Sequence, residues 1–124
     1  MKQVFFADDA PKPGGPYSHA VRAGDTIYLA GQTPHDPGSG EQPEGFEEQA
    51  RQAFRNLEAV AKAAGSTLAD AVRVGVYLRD MGDFAVMNTV FAEFVPEPSP
   101  VRTTIQSDLP GFAIEVDAVL YVGS

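Results

Sequence analysis

The chain has 124 residues, 44% of them apolar and 21% charged, which suits one domain with a buried core and does not suit a disordered segment. Nine Lys and Arg against seventeen Asp and Glu give a net charge of −8, and the basic residues are scattered, so a phosphate backbone gains little here from counterion release. There is no cysteine, which excludes disulfides, thiolate nucleophiles and cysteine-ligated metals.

Gln3–Phe6 is expected to form a short first strand, and the run from Asp9 to Pro16, rich in proline and glycine, a loop. Ser18–Ala23 and Thr26–Ala30 flank Gly24-Asp25, a pair that suits a type II′ hairpin turn, with Gly31 ending the second strand. A second loop covers His35–Pro43. Phe46–Ala64 carries Phe46, Ala50, Ala53, Phe54, Leu57, Val60 and Ala64 at helical spacing, with Glu47 and Glu48 in its first turn, Lys62 in its last and Gly65 to stop it. Thr67 and Asp70 are placed to cap a short turn. Val72, Val74, Val76 and Leu78 alternate with Arg73, Gly75, Tyr77 and Arg79 as a strand. Asp83 is expected to cap a second helix whose one face holds Phe84, Met87, Val90, Phe91 and Phe94, and Pro96, Pro98 and Pro100 end it. The last two strands begin near Val101 and at Ala113. No basic segment precedes an apolar run and no apolar stretch approaches about 18 residues, so neither a secretory signal nor a membrane span is expected and the cytoplasm is the default location.

The order β-ββ-α-β-α-ββ implies one α+β domain over residues 1–124, with two helices covering one sheet face. Ile114, Val116, Ala118 and Leu120 belong under the helices. Glu115, Asp117, Val119 and Tyr121 then point to the other face, which should also receive Arg102 or its neighbours. A face bearing Val119 and Tyr121 calls for cover by another subunit, and a site made of Arg102 and Glu115 would lie at or near that interface.

Arg102 and Glu115 are the residues with most chemistry to offer. A guanidinium can hold a carboxylate through two parallel hydrogen bonds, and a carboxylate can carry a proton. The plainer reading is a cross-strand ion pair. Tyr17 follows a rigid loop and could orient a ligand or simply pack with a wet hydroxyl. Gly31 could present backbone N–H groups or serve as an ordinary turn glycine. Asn88 lies off its helix's apolar stripe, a position that usually faces solvent. His19 and His35 show no metal-ligand spacing. No glycine-rich nucleotide loop occurs, and Ser18 and Thr103 lack the spacing of an activated nucleophile.

Six segments, in order, resemble the RidA/YjgF family of reactive enamine/imine deaminases over nearly the whole chain. They are Ala10–Ala20 (Ala-Pro-Lys-Pro-Gly-Gly-Pro-Tyr-Ser-His-Ala), Leu29–Pro34, Gln49–Leu57, Asp83–Asn88, Pro100–Thr104 and Leu109–Ala118. The resemblance implies a chorismate-mutase-like fold and a homotrimer whose central β-barrel is built from the uncovered sheet faces, with sites in the clefts between subunits. It implies that Arg102 binds a substrate carboxylate and that Glu115 handles the attacking water. Tyr17, Asn88 and Thr104 would line the pocket, and Gly31 would make a backbone contact. The chain departs from the family pattern at Thr103-Thr104, where many members have Ser-Cys, at Ala30 in place of serine, and in a short Val95–Ser99 loop. The activity implied is hydrolysis of small 2-imino or 2-enamino acids such as 2-aminoacrylate/2-iminopropanoate, without cofactor or metal. The alternatives are a non-catalytic binder or sensor of small carboxylates and the ribonuclease activity attributed to some relatives. The scattered basic residues argue against the latter and against any nucleic-acid partner.

Overall fold

The computed structural model describes residues 1–123. Six strands form one sheet: β1 (Gln3–Phe5), β2 (Ala20–Ala23), β3 (Thr26–Gln32), β4 (Ala71–Leu78), β5 (Val101–Gln106) and β6 (Ile114–Tyr121). Their spatial order is β1-β2-β3-β6-β4-β5. All neighbours are antiparallel except β4 and β5, which are parallel. The last strand in sequence therefore sits inside the sheet, and β5 is an edge.

Helices α1 (Phe46–Ala63) and α2 (Phe84–Phe94) cover one face, as the alternation of β6 implies. Phe54, Leu57 and Val60 of α1 and Met87 and Val90 of α2 are fully buried with Ile27, Val74, Val76, Leu78, Ile114, Val116 and Leu120. The Phe54 ring meets Phe91 edge-on at 5.8 Å and stacks on Phe94 at 5.7 Å, joining the two helices. α1 ends as its sequence requires: Gly65 takes φ +81°, its N–H donates to the Lys62 carbonyl, and the Ser66 N–H donates to the Ala61 carbonyl. Thr67 caps a short 3-10 turn by accepting from the Ala69 N–H.

Two local expectations change. Asp83 stands before α2 without making a side-chain cap; a 3-10 turn over Met81–Asp83 intervenes, and Asp80 caps that turn by accepting from the Gly82 N–H. Gly31 does not end β3. The strand runs on to Gln32 through a bulge, since Leu29 pairs with Ala118 but Gln32 pairs with Val116. The extra residue falls at Ala30–Gly31, where glycine tolerates the irregular backbone. The hairpin at Gly24 (φ +61°), followed by Asp25 at negative φ, fits the type II′ turn.

The opposite sheet face has no helix over it. Tyr28, Tyr121, Val101 and Ile105 are exposed there beside Glu115, Asp117, Arg73 and Tyr77. No helix among the described residues is long and apolar enough to cross a membrane.

Candidate functional site

The sheet separates the expected site residues into two clusters. β4 lies between β5 and β6, so Arg102 and Glu115 are not on adjacent strands. Arg102 is in register with Val74 and Glu115 with Tyr77. Positions 74 and 77 differ by an odd number, so their side chains point to opposite faces. The plainer reading, a cross-strand ion pair, therefore does not hold within one chain: among the described residues no ion pair involves Arg102 or Glu115. It is Val101, Thr103 and Ile105, rather than Arg102, that β5 sends to the open face.

The first cluster is built on β5 and α2. Parallel pairing with β4 brings Arg102 beneath the side of α2, where its Nη2 donates to Asn88 Oδ1 at 2.7 Å. The guanidinium lies 4.8 Å from the centre of the Phe91 ring and 5.6 Å from that of Phe84, and its Nη1 approaches the Met87 sulfur at 3.8 Å. These contacts restrain a long side chain and remove much of its water. Burial lowers the guanidinium's pKa from its ordinary value. Cation–π attraction and the Asn88 carbonyl do not neutralise it, so it remains a partly dehydrated cation without a carboxylate partner among the described residues. Thr104 lies two residues on, on the same side of β5, and its hydroxyl oxygen is buried without a hydrogen-bond partner.

The second cluster is built on β6 and the bulge of β3. Gly31 faces Glu115 so closely that a Cβ at Gly31 would collide with a carboxylate oxygen and stand 3.1 Å from Cδ. Burial first, and then the charge of Asp117 two residues on, raises the Glu115 pKa above the usual carboxylate range. Asp117 itself is held by the Tyr77 hydroxyl at 2.9 Å, the Gly75 N–H at 3.1 Å and Arg73 at 3.3 Å. Gly31 and Tyr17 both line a groove of about 600 Å³ that also takes in Lys12, Thr33 and His35. The Tyr17 hydroxyl accepts from the Gly14 N–H at 3.1 Å, which fixes the loop before β2.

His19 is structural. Its Nδ1 accepts from the Ala7 N–H at 2.8 Å, so Nε2 carries the proton and donates to the Pro11 carbonyl at 2.7 Å. Among the described residues no group of three or more His, Asp or Glu is placed to hold a metal ion. Sequence reasoning missed the platform under Arg102, because Phe84 and Phe91 read as ordinary members of an apolar stripe. It also missed the effect of Asp117 on Glu115, although the spacing of two on one strand was a usable signal.

A family model described as Endoribonuclease L-PSP matches residues 7–122. The chain is 47% identical over 124 residues to a RutC family protein of Pyrococcus horikoshii, covering 98% of each chain. It is 36% identical to a 2-iminobutanoate/2-iminopropanoate deaminase of Dermatophagoides farinae, over 98% of this chain and 97% of that one. Its fold superposes on the crystal structure of RidA from a Psychrobacter species with a TM-score of 0.92 and 43% identity, covering 97% and 99% of the two chains.

Proposed function

Since this chain belongs to the RidA/YjgF family, the one whose model bears the Endoribonuclease L-PSP description, we propose that it is a hydrolytic deaminase of small 2-imino and 2-enamino acids. The observation that carries this reading is a partly dehydrated guanidinium, fixed by Asn88 and two rings, with no carboxylate among the described residues to satisfy it. A small carboxylate ligand is the partner such a group lacks.

The two clusters point to opposite faces, so neither makes a complete site alone. In the proposed homotrimer the open faces pack together, and Arg102 with Asn88 and Thr104 meets Glu115, Gly31 and Tyr17 of a neighbouring subunit. Arg102 binds the substrate carboxylate and sets the imine carbon beside a water. Glu115, as carboxylate, takes a proton from that water as the C–O bond forms. The same proton returns to the carbinolamine nitrogen. As the C–N bond breaks and the C=O bond forms, Glu115 takes the hydroxyl proton and passes it to the departing ammonia, so that ammonium leaves a 2-oxo acid. An enamine enters after protonation at carbon gives the imine. A protonated imine is already electrophilic, so positioning and one acid–base group cover the chemistry. Thr104 stands where many relatives have cysteine, and its hydroxyl oxygen is buried without a partner beside Arg102 on the same side of β5.

RNA cleavage fits this chain poorly. Its net charge is −8 and it has no basic stripe along which a phosphate backbone could lie. A non-catalytic carboxylate binder would need Arg102 but not Glu115. The deciding assay generates 2-iminopropanoate or 2-iminobutanoate in situ and follows release of the 2-oxo acid and ammonia. Acceleration that scales with protein concentration is expected; a rate equal to spontaneous hydrolysis, together with retained binding of pyruvate, would favour the binder.

A further inference from the structure

Helix α1 carries two amide side chains that have no part in the reaction described above. Gln49 and Asn56 lie two turns apart on one stripe of the helix, amid residues that build the core. Gln49 Oε1 accepts from the Ala113 N–H at 2.9 Å, and its Nε2 donates to the Pro43 carbonyl at 3.1 Å. Asn56 is buried; its Nδ2 donates to the Thr33 carbonyl at 2.8 Å and the His35 carbonyl at 2.9 Å, while Oδ1 accepts from Gln52 at 2.9 Å.

The segments these amides hold are the ends of the two strands that form the second cluster. Ala113 precedes Glu115 by two residues, and Thr33 follows Gly31 by two. Gly31 and Glu115 touch so closely that no Cβ fits between them. A small change in the separation of β3 and β6 at this point alters how much water reaches the carboxyl. We propose that Gln49 and Asn56 are positioning residues, through which α1 braces the ends of β3 and β6 and fixes the Gly31–Glu115 contact. This rests in part on the reading of Glu115 as the base, but its geometric content stands apart from turnover.

The titratable and charged groups around Glu115 are Asp117 on its own strand and, from β4, Tyr77 opposite it in register and Arg73 bound to Asp117; β3 adds only Tyr28, and the proposed cleft adds Tyr17 and the neighbouring subunit's Arg102. None of these is touched by a change on α1. The test is a 13C NMR titration of the Glu115 carboxyl in the intact protein, with kcat and KM measured in parallel, for Gln49→Met, Gln49→Glu and Asn56→Ala. Gln49→Met should move the Glu115 titration down toward that of an ordinary glutamate. It should lower kcat by about tenfold, with KM nearly unchanged, because the substrate carboxylate is held by Arg102 and Asn88, on elements that Gln49 does not touch. Gln49→Glu keeps the acceptor for the Ala113 N–H and should retain the raised titration and most of kcat. Asn56→Ala should resemble Gln49→Met, and the Gln49 pair decides alone if Asn56→Ala does not fold. Identical Glu115 titrations in all folded variants, or equal impairment of Gln49→Glu and Gln49→Met, would overturn the brace. A wild-type protein without turnover would sink the deaminase reading instead, and the titration would still decide the brace.

Discussion

Arg102 is held by contacts that only a guanidinium can make together. One terminal nitrogen meets Asn88, the other approaches the Met87 sulfur, and the guanidinium carbon lies over the rings of Phe84 and Phe91. Arg102→Lys keeps the charge and loses this geometry. Steady-state kinetics on 2-iminopropanoate should show most of kcat/KM lost with the fold intact; a near wild-type value would remove the carboxylate-clamp role. Glu115 gives a pH signature. Its carboxyl is raised by burial and by Asp117, and a base works only when deprotonated, so the acid limb of the rate profile should lie above the ordinary carboxylate range. The same shift bears on stability. The folded state holds this proton more tightly than the unfolded one, so the cost of the charged form appears as pH rises from the ordinary value through the raised one. Glu115→Gln should therefore raise the melting temperature at neutral pH and leave it unchanged in acid, while turnover falls by roughly 100-fold or more. A loss of stability at neutral pH, with turnover retained, would make Glu115 a structural residue. That Arg102 and Glu115 stand on successive strands was legible in the chain. Asn88 as the partner of Arg102 was not: its place off the apolar stripe reads as solvent-facing until β5 is known to lie parallel to β4 at the side of α2.

Among the elements, the helices were the most legible. Amphipathic spacing and Gly65 define α1 to within a residue, because both report local physics. The β3 bulge was hidden, because a glycine at a strand end and a glycine in a bulge look alike in sequence. The distinction matters for the site. The bulge sets Gly31 against Glu115, and a methyl group there has no room. Gly31→Ala should displace the carboxylate and reduce turnover sharply while circular dichroism reports an unchanged fold. An alanine variant with full activity would mean that this contact is not made in the working site. The α2 start was legible, with Asp83 at the N-cap position, but its side chain makes no cap bond, because a 3-10 turn capped by Asp80 leads the chain into the helix.

At the scale of the molecule, period-two alternation in β6 correctly assigned the covered and open faces. The strand order was beyond its reach. The placing of β4 between β5 and β6 is a long-range choice, and with the odd offset in register it is what parts Arg102 from Glu115. The open face exposes Tyr28, Tyr121, Val101 and Ile105 around a polar network centred on Asp117. Light scattering at micromolar concentration should report three subunits, and a stable monomer would remove the shared site. The most direct test of that site mixes two inactive proteins, Arg102→Lys and Glu115→Gln, unfolds them together and refolds them. In a cyclic trimer each mixed assembly regains one intact cleft, so an equal mixture should recover about a quarter of wild-type turnover. A mixture that forms mixed trimers and stays as inactive as its parents would contradict a site shared between subunits.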